Sequence, residues 1–260
     1  MIYLVFFLVS LGASILGSIC GIGGGIIIKP TLDSLQVMGV ASISFLSGCT
    51  VLTMSMVSVY KIMKAGQVKI QMNTGTPLAI GAAVGGVVGS QIFQYIKAHA
   101  QDPAAVGHTQ SLVMVGMMVV VLFYTIFSAK LISFHVKSKV VCALLGAALG
   151  ILSSFLGIGG GPLNLAVLSL FFSMDTRHAA ANSLYIILFS QSASFLVTLF
   201  TGAVPEFLPL ALMLMVGGGL IGGNLGSLIN KRLQEKQVRV LYLCACVGIL
   251  ILSFHNAGLF

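Results

Sequence analysis

Eight apolar stretches, roughly 2–35, 40–60, 75–96, 111–132, 140–172, 179–201, 206–229 and 238–257, take up nearly all of this chain. Most hold the ~20 residues that a helix needs to cross a hydrocarbon layer about 30 Å thick. In lipid every backbone N–H and C=O must find a partner inside the protein, so stretches of this kind become helices. The charge count agrees. The 260 residues include 13 Lys and Arg and 5 Asp and Glu, so 7% of the chain is charged, against about 25% in a soluble domain. Mean hydropathy is +1.10. A soluble domain, a disordered chain and a nucleic-acid module are excluded, although the net charge is +8. In a membrane protein an excess of Lys and Arg reports orientation first. The expected fold is all-α and polytopic, and the expected partners are the lipid bilayer and a small solute, with no nucleic acid. The opening stretch, Met1 to Ser18, lacks the basic start of a signal peptide and has a counterpart in mid-chain, so it reads as mature structure.

The chain repeats itself. Ser18 to Gly25 reads SICGIGGG and Ser154 to Gly161 reads SFLGIGGG, at an offset of 136. Gly85 to Ile92 reads GGVVGSQI and Gly222 to Ile229 reads GGNLGSLI, at an offset of 137. Two halves follow, 1–132 and 136–260, each a glycine-broken segment followed by three full spans, with a polar external loop at 98–110. Internal repeats of this form belong to transporters and channels.

Charge placement predicts how the halves relate. Lys61, Lys64 and Lys69 mark the loop between the second and third segments, whose equivalent near 202–206 has no Lys or Arg. The next loop reverses the bias: Lys97 stands in the first half, against Lys231, Arg232, Lys236 and Arg239 in the second. A parallel repeat keeps the same loops positive, whereas an inverted repeat swaps them. If each broken segment enters and leaves on one side as a re-entrant hairpin, Lys130, Lys137, Lys139 and Arg177 join Lys61, Lys64, Lys69, Lys231, Arg232, Lys236 and Arg239 on one face, and only Lys29 and Lys97 lie opposite. The positive-inside rule then predicts two inverted repeats with both termini outside. Eight plain crossings give no such bias.

The broken segments carry the chemistry. Residues 3–19 form an arm of about 25 Å if helical, and Gly21, Gly23, Gly24 and Gly25 then interrupt it. Gly157, Gly159, Gly160 and Gly161 do the same in the second half. Glycine loops are tolerated at membrane depth where they are buried in protein or line a watery cavity. Glycine lets a ligand approach the backbone closely, and the returning helix offers N–H groups and a positive dipole end. Two opposed tips near the midplane then make an anion site, with Ser18, Ser154 and Cys20 as extra donors. The alternative is that these glycines only permit tight helix packing.

GIGGGIIIKPTLD at 21–33 and GIGGGPLNL at 157–165 resemble the paired glycine signature of the TauE/SafE sulfite-exporter family, and the likeness covers essentially the whole chain. The resemblance implies an integral membrane carrier of small sulfur-containing anions or organic acids (sulfite, thiosulfate, sulfoacetate and related species). One difference is that Pro162 follows the second cluster directly, whereas Pro30 stands five residues after the first.

Polar residues inside apolar spans are functional candidates. The second segment carries Ser44, Ser47, Thr50 and Ser55, and its equivalent carries Asn182, Ser183, Gln191, Ser192 and Ser194. Ser47 and Ser183 are equivalent under the repeat, and Asn182 is costly to bury. The rival account is back-bonding to helix carbonyls. Lys29 lies one turn past the first tip and either pairs with Asp33 at i+4 or attracts the anion. Arg177 and His178 are interfacial anchors or line an inner vestibule. No Asp or Glu lies in mid-span, no catalytic constellation is present, and the five cysteines show no ligand spacing. The expectation is a non-enzyme without metal or cofactor. It is a secondary transporter in the inner membrane of a prokaryote, working by alternating access around the glycine tips, with a passive anion channel or a subunit of a partner enzyme as alternatives.

Overall fold

The computed structural model describes residues 2–66, 68, 70–99, 103–127, 134–136, 138–158 and 160–256. Gly159 and the loop cations Lys69, Lys130 and Lys137 lie outside the described residues. Among the described residues ten helices follow one another: α1 (Ile2–Cys20), α2 (Gly25–Ser34), α3 (Val40–Ala65), α4 (Met72–His99), α5 (Pro103–Phe127), α6 (Lys139–Leu156), α7 (Pro162–Phe172), α8 (Thr176–Phe200), α9 (Pro209–Arg232) and α10 (Glu235–Asn256). Eight are long and apolar enough to cross a membrane, and the short ones are α2 and α7. Ile80, Val84, Val120, Phe123, Leu144, Met213, Val240 and Ile251 are exposed apolar side chains, fit for lipid rather than water. The segment expected as a loop over 98–110 is shorter: α4 runs to His99, and 103–110 already belong to α5.

Both broken segments fold back. Phe6 and Ala13 of α1 share a cluster with Ile28 and Leu32 of α2, so α2 returns along α1. Phe134 and Val136, which lead into α6, donate backbone N–H groups to Leu170 and Phe171 at the end of α7, at 2.7 and 3.0 Å. The second hairpin therefore ends beside its own start. An arm of 10 or 11 residues spans about 15 Å, half of a hydrocarbon layer.

Glycine stripes join the hairpins to the opposite half. A β-carbon at Gly81, Gly85 or Gly89 of α4 would stand 2.0–2.4 Å from the carbonyl oxygen of Ala143, Ala147 or Ile151 of α6. Gly218, Gly222 and Gly226 of α9 meet the carbonyls of Phe7, Leu11 and Ile15 of α1 in the same way. Spacing by four puts these glycines on one helix face, where backbones approach closely. The pairings advance together, so α1 runs parallel to α9 and α4 parallel to α6. Gly219 and Gly223 of α9 meet Thr50 and Met54 of α3, and Gly75 and Gly86 of α4 meet Asn182 and Ser190 of α8, which again are parallel pairs. Between α3 and α8 the order reverses: Gly48 faces Gln191 and Phe45 stacks near Phe195. So α1, α3 and α9 point one way and α4, α6 and α8 the other. Lys61, Arg177 and Lys231 consequently meet at one end of the bundle.

Candidate functional site

The two glycine tips touch. A β-carbon at Gly25 would lie 2.5 Å from the Ile158 carbonyl oxygen, and one at Gly161 would lie 3.0 Å from that of Ile22. Positive φ at Gly21 and Gly23, and at Gly157, Gly160 and Gly161, turns the chain at each tip. L side chains resist that backbone region. Gly24 caps α2 in ordinary helical geometry, and Pro162 opens α7 at a position where its missing N–H costs nothing.

A cavity of about 410 Å³ reaches the second tip, within the size range of small-molecule sites. Ser153, Ser154 and Gly157 form its floor, Ser44, Gly48 and Cys49 of α3 one wall, and Gln191, Ser194 and Thr198 of α8 another. Phe45, Phe93 and Phe195 line it as well. Among the described residues no charged one lines it. The Ser44 hydroxyl oxygen is buried without a hydrogen bond within the protein.

Lys29 lies directly behind this floor. It is 3% exposed, and its Nζ donates to Gln110 Oε1 at 2.6 Å and to the Leu156 carbonyl at 2.7 Å. That carbonyl ends α6, the negative end of a helix dipole, and the ammonium offsets it. A β-carbon at Gly157 would be 3.4 Å from Lys29 Nζ. The cation thus biases the cavity floor from within the protein. Among the described residues Lys29 and Asp33 form no salt bridge.

Other expected site residues take different places. Ser183 donates to the Gly21 carbonyl at 2.6 Å and so fixes the first tip. Ser47 is buried beside Gly25, and its hydroxyl is unbonded within the protein. Asn182 spends its side chain on the backbone of His178 and Gln71. Thr50 and Ser55 bond back to their own helix. Cys20 is fully buried in an apolar cluster with Tyr242 and Cys246, away from the cavity. Ser18 lines a second, smaller pocket at the basic end. The phenylalanines of the large cavity escaped sequence reasoning, because Phe in an apolar span carries no signal.

The profile of the sulfite exporter TauE/SafE family matches residues 6–253. The chain is 23% identical over 256 residues to the probable membrane transporter protein YunE of Bacillus subtilis (strain 168), covering 92% of each chain. No solved structure matches. The eight apolar helices long enough to span a bilayer agree with a membrane transporter family. The chain belongs to the TauE/SafE sulfite-exporter family, a multi-pass membrane transporter family.

Proposed function

We propose that this protein carries a small anion, sulfur-containing by class (sulfite, thiosulfate, sulfoacetate or a related organosulfonate), by alternating access about the hairpin tips. One observation supports this most: a cavity in which hydroxyl and amide donors stand among phenylalanines, with no charged side chain among the described residues that line it, ends on a glycine tip backed by the buried Lys29 ammonium. Hydroxyls at Ser44, Ser153, Ser154 and Ser194 suit an oxyanion, and the cavity lining contains no carboxylate to repel one.

The halves act as an inverted repeat. Equivalent helices (α1 and α6, α3 and α8, α4 and α9) run in opposite directions, and glycine stripes at an offset of 137 make the same contacts. With Lys61, Lys64, Arg177, Lys231 and Arg232 on the cytoplasmic side of the plasma membrane, the large cavity opens outward and both termini lie outside. An inside-negative potential drives an anion toward that side.

The test is flux from liposomes holding the purified chain alone, with sulfite, thiosulfate, sulfate, sulfoacetate and a plain carboxylate compared. Saturable, substrate-selective flux is the expected result. Flux that grows linearly with concentration, or single-channel currents, identifies a pore, and no flux of any member of the panel ends the carrier reading.

A further inference from the structure

The large cavity has an equivalent at the other end of the pathway. A pocket of about 40 Å³ is lined by Ser18, Ala180, Ala181, Leu184 and Ser227. Under the repeat these positions correspond to Ser154, Ser44, Phe45, Gly48 and Ser90, all of which line the large cavity. The two spaces are one architecture in two states, about 410 Å³ open and about 40 Å³ shut.

Hydrogen bonds at equivalent serines differ in step with the volumes. At the shut end Ser18 Oγ lies 2.9 Å from Ser58 Oγ and 3.0 Å from Ser227 Oγ, and Ser227 donates to the Gly223 carbonyl at 2.7 Å. Ser58 to Ser18 to Ser227 to Gly223 is a chain that uses each hydroxyl hydrogen once, and it ties α1 to α3 and α9. At the open end Ser154 reaches Ser194 at 3.3 Å, and Ser90 donates back to Val87 of its own helix. Ser183 bonds the first tip at Gly21, whereas its equivalent, Ser47, is buried with no bond within the protein. Of three equivalent contacts, two are made at the shut end and missing at the open one, and the third lengthens from 2.9 to 3.3 Å.

The mouths differ in charge too. Lys61, Arg177 and Lys231 line the shut pocket. Lys61 Nζ and the Arg177 guanidinium donate to backbone carbonyls of Asn224 and Asn230 rather than to carboxylates.

We propose that the small pocket is the inner anion vestibule of the pathway, shut here by a latch in which Ser18 bridges Ser58 and Ser227, and that Ser154, Ser194 and Ser90 form the matching outer latch, here half made, with Ser154 on Ser194 and Ser90 turned back to its own helix. Closing the outer latch brings Ser154 onto Ser90 and gives Ser47 the Gly157 carbonyl, as the inner latch opens. The proposal rests on the alternating-access reading for its setting, but its test needs no transported substrate.

The test uses the full chain with its five native cysteines replaced by alanine. Phe93→Cys reports access to the large cavity and Ala181→Cys access to the small pocket, both read with membrane-impermeant thiol reagents. Ser18→Ala should raise labelling at Ala181→Cys and lower it at Phe93→Cys by roughly five-fold, the population change matching about one lost buried hydrogen bond. Ser227→Ala must act like Ser18→Ala, and Ser154→Ala must act in the opposite sense. In the Ser18→Ala background a sulfonate-bearing reagent should outpace a quaternary-ammonium one at Ala181→Cys, and combined Lys61→Gln, Arg177→Gln and Lys231→Gln should abolish that preference. Shifts of the same sign from Ser18→Ala and Ser154→Ala, or no shift, overturn the latch. Equal rates for the two reagents before neutralisation overturn the anion vestibule. Either result leaves the liposome flux standing on its own.

Discussion

The two hairpins share a glycine cluster and a fold-back, but they do different work. In the first, α1–α2, the tip is sealed: Gly21 presses on Ala180, and its carbonyl accepts from Ser183. In the second, α6–α7, Gly157 faces the large cavity. The returning arms differ as well. Lys29 occupies in α2 the position that Leu165 occupies in α7. Lys29 reaches across to the end of α6, whereas Leu165 packs into the apolar cluster with Cys20, Tyr242 and Cys246. The repeat supplies a symmetrical frame, and a few residues present in one copy only give it polarity. A buried cation, Lys29, is donated by one hairpin to the tip of the other and lends the cavity floor positive potential, which is what the proposed anion site requires.

The largest effect should come from setting the tips against each other. A β-carbon at Gly21, where φ is +73°, would lie 2.3 Å from the Ala180 Cα, and backbone cannot yield cheaply. Gly21→Ala should cost roughly 2–5 kcal/mol, adding left-handed strain to overpacking. At Gly157, with φ +66°, the closest atom is the Ser44 hydroxyl oxygen, 2.7 Å away on a rotatable side chain. Gly157→Ala should cost only about 1–2 kcal/mol, yet it should cut flux at least as strongly, because its methyl group points into the polar wall. Thermal unfolding in detergent, paired with liposome flux, separates the two. A Gly157→Ala variant less stable than Gly21→Ala would break the contrast between a sealed tip and a working one.

Lys29 offers a finer cut. Lys29→Met leaves Gln110 Oε1 and the Leu156 carbonyl without their donor, at a cost of about 1–3 kcal/mol. Adding Gln110→Met removes the orphaned Oε1 but also the donor to the Phe155 carbonyl at 2.6 Å, so it should restore only part of that loss. The anion affinity should not recover with it, since the positive charge is still gone. A double variant that regains both stability and KM would mean that Lys29 is a clamp between the hairpins and nothing more.

Much of this frame was legible in the sequence. The apolar stretches foretold an all-helical, polytopic chain, and the glycine clusters marked where α1 and α6 stop. In this structure Lys61, Arg177 and Lys231 do gather at one mouth. What was hidden is which stripe of an apolar helix faces the pathway. In lipid the outer face of a helix is as apolar as its packed face, so periodicity does not sort them. Cys20 looked like a donor beside a tip, but the turn at Gly21 leaves it in the apolar cluster. Gln191 and Ser194 stood out as polar, yet their partners across the cavity, Phe45 and Phe93, did not. Asn164, 2% exposed beside Gly160, was overlooked because its neighbourhood exists only once the tip has folded.

The smallest contrast lies where each hairpin hands over to its next helix. Asp175 caps α8, accepting the N–H groups of Arg177 and His178 at 3.0 and 2.9 Å. The equivalent residue before α3 is Gly39, in extended backbone and with no side-chain cap. A β-carbon there meets nothing within 4 Å. Gly39→Asp should therefore stabilise the protein by a few tenths of a kcal/mol, and Asp175→Ala should cost about 1 kcal/mol. Acid distinguishes capping from packing. Burial pushes the Asp175 carboxyl up, but the hydrogen bonds and charge of His178 and the N–H of Arg177 outweigh it and hold the group below its ordinary 3.8. A depressed carboxyl contributes in full above its unfolded value and loses that contribution as pH falls through its folded one. The melting gap between wild type and Asp175→Ala should thus stay constant from neutral pH down to about 4 and shrink below it. A gap that persists at lower pH would show that Asp175 supports α8 by packing, and would remove the ground for expecting any gain from Gly39→Asp.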